Sequence, residues 1–341
     1  MKEILVTGAG GYIGSILVPK LLKKGYKVKA VDRYFFGIDK ISEHKNLEVI
    51  QEDTRRMKPE YFAGVDAVID LVAVSNDPSG ELFMKATNEI NYISRVNTAC
   101  LAKWLGVKQY ILPSSCSLYG FQDKDTIVDE QSPTNPITVY AKANEKAEQH
   151  ILPLADEDFT VTVLRQATVF GYSPRMRFDL AINGMTYGAW KDGVIPLMRD
   201  GSQWRPFVHI EDTTDIMCLL LETDPTLING QIFNVGSNSN NYQLGNLANE
   251  IANALPTDVQ IDWYGDPDYR SYRVSFDKIE KLLGWKAKKS GADGAIEIYS
   301  KLNSGELTKS EQTITLDWYK DLVKWHKIIK NIEMYGGILD L

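Results

Sequence analysis

The chain has 341 residues, 44% hydrophobic and 24% charged, enough to bury a substantial core in one large unit or two closely joined ones. Its net charge of -7 excludes a basic field for holding nucleic acid or an anionic membrane, so local basic residues must hold any anionic ligand. Cys100, Cys116 and Cys218 make neither a disulfide framework nor a zinc pattern, and His44, His150, His209 and His326 are too scattered to suggest a metal site. Met1-Lys2-Glu3 leads directly into an apolar strand with no room for a signal peptide, and no apolar run approaches bilayer-spanning length; a cytoplasmic protein without a membrane partner is expected.

The first stretch, Ile4-Leu5-Val6-Thr7-Gly8-Ala9-Gly10-Gly11-Tyr12-Ile13-Gly14, is an apolar strand feeding a glycine turn, and Ile16, Leu17, Leu21 and Leu22 follow at helical spacing. In such a turn Gly8 permits the tight bend, Gly11 lets the backbone approach a pyrophosphate, and Gly14 lets the helix pack on the strand. The spacing is GxxGxxG. Residues 26–31 read as a second strand ending in Asp32, at the offset where a carboxylate holds an adenosine ribose diol. Asp32 would repel a 2′-phosphate and so favours NAD over NADP, with neighbouring Arg33 as the dissenting residue.

A third strand is expected at 47–51, a fourth at 67–74, a long helix at 87–106, a fifth strand at 110–113, a helix at 138–152 and a sixth strand at 160–164. Strands alternating with helices predict a parallel, doubly wound sheet whose ligand lies at the carboxyl ends of the strands. From Tyr172 the alternation breaks into short segments and turns, with helices expected at 244–254, 277–283 and 315–332. A smaller, discontinuous second domain accounts for this, residues 212–222 returning to the first.

The landmarks then fall in order: Thr7-Gly8-x-x-Gly11-x-x-Gly14, Asp32, Asp53, Ala73, Asn91, Ser114-Ser115-x-x-x-Tyr119-Gly120, Tyr140, Leu164-Arg165-x-x-x-x-Gly171, Arg205-Pro206-Phe207-Val208-His209 and Asn234-Val235-Gly236. Together they resemble the extended short-chain dehydrogenases/reductases, in particular the NAD-dependent sugar-nucleotide epimerases and dehydratases, over roughly residues 2–290. The resemblance implies an α/β fold with a Rossmann-type doubly wound parallel sheet and a smaller, discontinuous α/β substrate domain. Residues 1–171 with about 212–235 would bind NAD, about 172–211 and 236–314 would bind substrate, and 315–341 would be a C-terminal helical extension. It implies NAD held by Gly8, Gly11, Tyr12, Ile13, Gly14, Asp32, Arg33, Asp53, Thr54, Leu71, Ala73, Tyr140 and Asn144. It also implies a homodimer packed through the fourth and fifth helices.

In this family a tyrosine phenolate takes the proton of a sugar hydroxyl while NAD accepts the hydride. The resemblance gives Tyr140 the base role, Ser115 the orienting role, and Ser75, Cys116, Ser117 and Thr168 places against a sugar-nucleotide substrate. Arg205 matches the arginine that relatives use on the diphosphate, with Arg270 or Arg273 as a second clamp, since a planar guanidinium suits bidentate phosphate contact.

The chain departs from the family at Thr168, where relatives often have a substrate-binding asparagine, at Pro206, where many have aspartate, and above all at the lysine. The Tyr-x-x-x-Lys pattern places both side chains on one helix face, but here Tyr140-Ala141-Lys142-Ala143-Asn144 carries asparagine at the lysine position. Lys142 and Lys146 do not replace it, lying roughly 200° and 240° around the axis from Tyr140. Asn144 can hydrogen-bond a ribose hydroxyl but supplies no charge to favour phenolate. A phenol of pKa about 10 is about 0.1% ionised at pH 7, and tuning it to about 7 is worth roughly 4 kcal/mol, about three decades in rate. A lysine or arginine from elsewhere in the fold, or the cationic nicotinamide, would have to compensate. Slow or rerouted catalysis, a noncatalytic NAD and sugar-nucleotide binder, and an engineered loss of lysine all remain open.

Dehydratases of the family carry an acid and a base directly after the serine at position 115. Here Cys116-Ser117 stands in that place, which disfavours elimination. The expectation is a sugar-nucleotide C4 oxidoreductase, most simply a 4-epimerase working through a 4-keto sugar, with a 4-dehydrogenase/reductase or a dehydratase as the alternative enzyme.

Overall fold

The computed structural model describes residues 1–123, 126–266, 271–334 and 336–338. Strand β1 (Glu3–Thr7) lies at the middle of a sheet, and Ile4, Leu5 and Val6 are all fully buried, as a strand covered on both faces requires. The chain continues through α1 (Gly14–Lys23), β2 (Lys27–Asp32), β3 (Leu47–Gln51) and β4 (Ala67–Asp70). Short α2 (Asp77–Leu82) precedes α3 (Met84–Asn88), a π-type turn at Glu89–Ser94 and α4 (Arg95–Trp104), then β5 (Gln109–Ser115) and a two-residue β6 (Ile127–Val128). Next come α5 (Val139–Ile151), β7 (Thr160–Gln166), β8 (Thr168–Phe170), α6 (Ala181–Asp192), β9 (Val194–Met198), β10 (Trp204–His209), α7 (Ile210–Leu220), α8 (Pro225–Ile228) and β11 (Gln231–Val235). The last elements are β12 (Asn241–Gln243), α9 (Leu244–Ala254), β13 (Gln260–Tyr264), β14 (Arg273–Val274), α10 (Asp277–Leu283), α11 (Gly291–Asn303) and α12 (Thr315–Ile332).

Seven strands form one sheet in the order β11-β7-β5-β4-β1-β2-β3, every neighbouring pair parallel. Alternate residues of β1 feed opposite faces: Ile4 and Val6 join Leu17, Val18 and Leu21 of α1 and Ile216 of α7, whereas Leu5 joins Ala99 and Ala102 of α4 and Ala147 and Ile151 of α5. This is the expected doubly wound sheet. A smaller layer of β8, β10 and β12, with β9 paired to β13, packs through Phe170, Ile182, Ile195, Phe207, Leu247 and Ile251.

The single helix expected at 87–106 is an interrupted run over 84–104. Its π-type turn carries Asn91, whose amide bonds both the N–H (2.8 Å) and the C=O (3.0 Å) of Val74 and so ties the turn to the loop after β4. Helices α6 and α11, read from the sequence as turns, pack against one another and α9. Helix α12 lies across the carboxyl ends of the sheet. Trp318 Nε1 donates to Phe35 O (2.7 Å), and the Tyr319 ring meets those of Phe35, Phe36 and Phe83.

Candidate active site

The carboxyl ends of the sheet strands open into a cleft of about 1300 Å³, large enough for a dinucleotide together with a second nucleotide ligand. At one end stands the glycine turn. Gly8 has φ +65°, and a Cβ there would lie 2.8 Å from the Leu71 carbonyl carbon; a Cβ on Gly14 would lie 2.4 Å from Gly8 O. No side chain caps the N-terminus of α1, so its dipole end is open to an anion. Tyr12, Ile13, Thr54, Leu71 and Ala73 line the same end.

Asp32 ends β2 on the cleft wall, where its two oxygens accept from Gly10 N (3.0 Å) and Tyr34 N (2.7 Å) and keep lone pairs for a diol. Burial pushes its carboxyl upward against these bonds. Arg33, the dissenting residue, pairs with Asp53 at 2.9 Å, and Arg55 and Arg33 together hold the Asp53 carboxyl well below the usual range. Across the cleft Arg175 is buried with Nε and Nη1 lacking any hydrogen-bond partner; its guanidinium lies 3.6 Å from the Phe36 ring centroid, and Nη2 donates to Thr315 Oγ1 (2.9 Å). Burial and neighbouring Arg177 push it down to about 9, so it stays charged at neutral pH. A glycine cradle that no side chain could enter and an orphaned buried cation fit a dinucleotide pyrophosphate.

At the other end, β5 delivers Ser115 and α5 delivers Tyr140. Thr138 caps α5, its Oγ accepting from Ala141 N (3.2 Å) and donating to Asp77 Oδ1 (2.6 Å), which fixes the first turn against α2. Ser115 and Tyr140 stand together on the cleft wall; burial pushes the Tyr140 phenol above its usual value, Arg95 is the strongest charge opposing that shift, and Asp77 adds to it. The Ser117 hydroxyl faces the cleft without a partner in the protein. Ser75, Thr168 and Arg205 line the same region; Ser75 accepts from Arg177 Nη1 (3.1 Å), and Arg205 sits over the Tyr272 ring.

The match to the model of the NAD dependent epimerase/dehydratase family spans residues 4–236. The chain belongs to that family. This epimerase/dehydratase-family enzyme uses NAD, and it is similar over most of its length to curated relatives. A probable UDP-arabinose 4-epimerase 3 of Arabidopsis thaliana is 30% identical over 332 residues, covering 87% of this chain and 80% of the relative. UDP-glucuronic acid decarboxylase 6 of the same plant is 28% identical, covering 84% of each. Among solved structures, UDP-glucuronic acid 4-epimerase from Bacillus cereus, in complex with UDP-glucuronic acid and NAD, superposes with a TM-score of 0.79 at 21% identity, over 89% of this chain and 99% of that one; it shows the shared fold. Among the described residues, no helix is long and apolar enough to cross a membrane and no cluster suited to a metal ion occurs.

Three sequence expectations for this family member need correction. Cys116 does not face the cleft: it is buried behind β5, where its thiol donates to Arg165 O (3.2 Å) and burial pushes it up. Arg273 is not on the cleft wall; it lies in β14 with its guanidinium over the Trp204 ring. Asn144 is 1% exposed and is also absent from the wall, so a ribose hydroxyl does not reach it; its Nδ2 donates to Tyr140 O (2.9 Å) and its Oδ1 accepts from Arg95 Nη1 (2.9 Å). Arg270 lies outside the described residues. Arg95, Arg175, Arg177 and Tyr319 were not anticipated. The one available signal was Arg95 itself, a charged residue on the apolar face of a helix.

Proposed function

We propose that the enzyme is a UDP-sugar 4-epimerase. The observation that carries the reading is the Ser115–Tyr140 pair on the cleft, unaccompanied by an acid–base pair after Ser115, since Cys116 points away and Ser117 offers only a hydroxyl. NAD, when bound, supplies the acceptor and later the donor of the C4 hydride. Tyr140, as phenolate, takes the proton of the sugar 4-hydroxyl and, after the 4-keto sugar has turned in the site so that its other face accepts the hydride, returns that proton to the C4 oxygen. Ser115, beside Tyr140 on the cleft wall, orients the reacting oxygen, Ser117 and Thr168 hold neighbouring hydroxyls, and Arg205 takes the diphosphate. The printed functions of the relatives favour a UDP-pentose or a UDP-hexuronic acid as substrate.

Asp77 favours a second reading. It is a carboxylate on the cleft wall whose charge acts on Tyr140, and after C4 oxidation such a group would serve to move the C5 proton. Incubating the enzyme with UDP-pentoses and UDP-hexuronic acids in deuterated water and reading products by NMR separates the two. A C4 epimer without deuterium at C5 supports epimerisation, deuterium at C5 supports the Asp77 route, and binding without product contradicts both. The homodimer expected from the sequence belongs to the same reading: Ile93 and Trp104 are 47% and 76% exposed beside α5, and sedimentation giving a monomer would contradict it.

A further inference from the structure

Asn144 stands where the family pattern has its lysine, and a buried arginine lies against it. Arg95 is 1% exposed, a buried guanidinium at the start of α4 reaching across to α5. Its Nη1 donates to Asn144 Oδ1 at 2.9 Å, and its Nη2 donates to the carbonyls of Asp70 (2.7 Å) and Pro113 (2.5 Å), at the ends of β4 and β5. A buried charge costs several kcal/mol unless it is bonded and paired, and here the carboxylate partner, Asp70, stands 3.6 Å from Nε, beyond hydrogen-bond reach. Asp70 itself accepts from the hydroxyls of Thr7 and Tyr110 on its far side. The guanidinium therefore spans from its counter-ion Asp70, at ion-pair distance from Nε, to α5, which Nη1 reaches through Asn144.

Asn144 completes the connection. Its carbonyl oxygen takes the arginine and its amide takes Tyr140 O, so the side chain bridges the cation to the backbone of the proposed base. A lysine at 144 would set an ammonium against the buried Arg95 guanidinium, a like-charge contact that burial makes costly.

We propose that Arg95 and Asn144 form one exchanged unit that replaces the lysine of the Tyr-x-x-x-Lys pattern, the arginine on α4 supplying the charge and the asparagine coupling it to α5 at Tyr140. Arg95 is a positioning residue: it touches no substrate atom and acts by favouring the phenolate of Tyr140 and by fixing the first turn of α5. The inference rests on the reading of Tyr140 as the base, and it agrees with Arg95 being the strongest charge that lowers the Tyr140 phenol. It also reverses what the sequence alone predicts for Asn144→Lys, a gain in turnover.

The test is a pH titration of the holoenzyme labelled with ¹³Cζ-tyrosine, the Tyr140 resonance assigned by its loss in Tyr140→Phe. Arg95→Met is expected to raise the Tyr140 pKa by about one unit or more, with turnover at pH 7 falling about tenfold or more in step. Arg95→Lys is expected to restore most of the shift, Asn144→Lys alone to lose stability without a gain in turnover, and the pair Arg95→Thr with Asn144→Lys to return the pKa to within about half a unit of wild type. A wild-type Tyr140 pKa no lower than that of Arg95→Met overturns the proposal, as does a gain in turnover from Asn144→Lys alone. If Arg95→Met does not fold, the double variant decides: a raised Tyr140 pKa in it overturns the exchange. The resonance is read without turnover, so a chain inactive on every UDP-sugar would sink the epimerase reading while leaving the titration to judge Arg95.

Discussion

Asp32 and Tyr140 both line the cleft, and the separate roles proposed for them each make a separable prediction. Replacing Asp32 with Asn removes the charge and leaves one acceptor oxygen where the carboxylate offers two, one to Gly10 N and one to Tyr34 N. Calorimetric titration should give NAD binding weakened about tenfold, the worth of one charged hydrogen bond, with NADP binding strengthened. Unchanged preference between the two cofactors would remove Asp32 from the ribose. Tyr140→Phe should lower turnover about a thousandfold while NAD remains bound, a split expected of a proton-transfer group and not of a cofactor ligand. That the glycine turn, Asp32, Ser115 and Tyr140 would share one cleft was legible, because each sits at the end of a recognisable strand or the start of a helix, where local pattern fixes position. Arg95 was not, since its meaning depends on Asn144, 49 positions later, across a contact that only the packing of α4 on α5 creates.

Among the elements, six of the seven strands of the large sheet, all but β11, and α9, α10 and α12 were readable from the sequence, and α6 and α11 were not. Gly184 and Gly188 lower the helix propensity of α6, and Gly291 and Gly294 that of α11, so tertiary packing decides both. Helix α11 did announce itself through Ser290 and Asp293, a capping box in which each side chain bonds the other's backbone N–H. Helix α12 was readable as a helix but not as a wall of the cleft, where Tyr319, Leu322 and Trp325 stand. It is held there chiefly by Trp318, Tyr319 and buried Thr315. Tyr319→Ala should therefore speed hydrogen exchange across 315–332 at least tenfold while the protection of β1, β4 and β5 is unchanged; uniform loss of protection would mean that α12 is part of the global core.

The molecule as a whole joins its two layers and α12 through Asp179. It bonds Arg177 at 2.6 Å, accepts from Asn76 Nδ2 at 2.9 Å, and meets Thr315. Burial pushes its carboxyl up, but Arg177 and these bonds outweigh burial and bring it down to about 2. A depressed carboxylate stabilises the fold above its unfolded value near 4, so this contribution, about 2 kcal/mol, should be complete at neutral pH and be lost as pH falls from about 4 to about 2. Urea melts from pH 7 down to pH 2.5 should show Asp179→Asn less stable at pH 7 and converging on wild type at the acid end. A gap independent of pH would assign the loss to packing.

Under the proposed function these parts serve one event, movement of the C4 hydrogen out of and back into the same sugar. It is tested most directly with a UDP-pentose or UDP-hexuronic acid carrying deuterium at C4, incubated with the holoenzyme in ordinary water and followed by NMR. The account predicts a C4 epimer that retains its deuterium at C4, with C5 unexchanged. Loss of deuterium from C4 to solvent, exchange at C5, or a stable 4-keto product would contradict it.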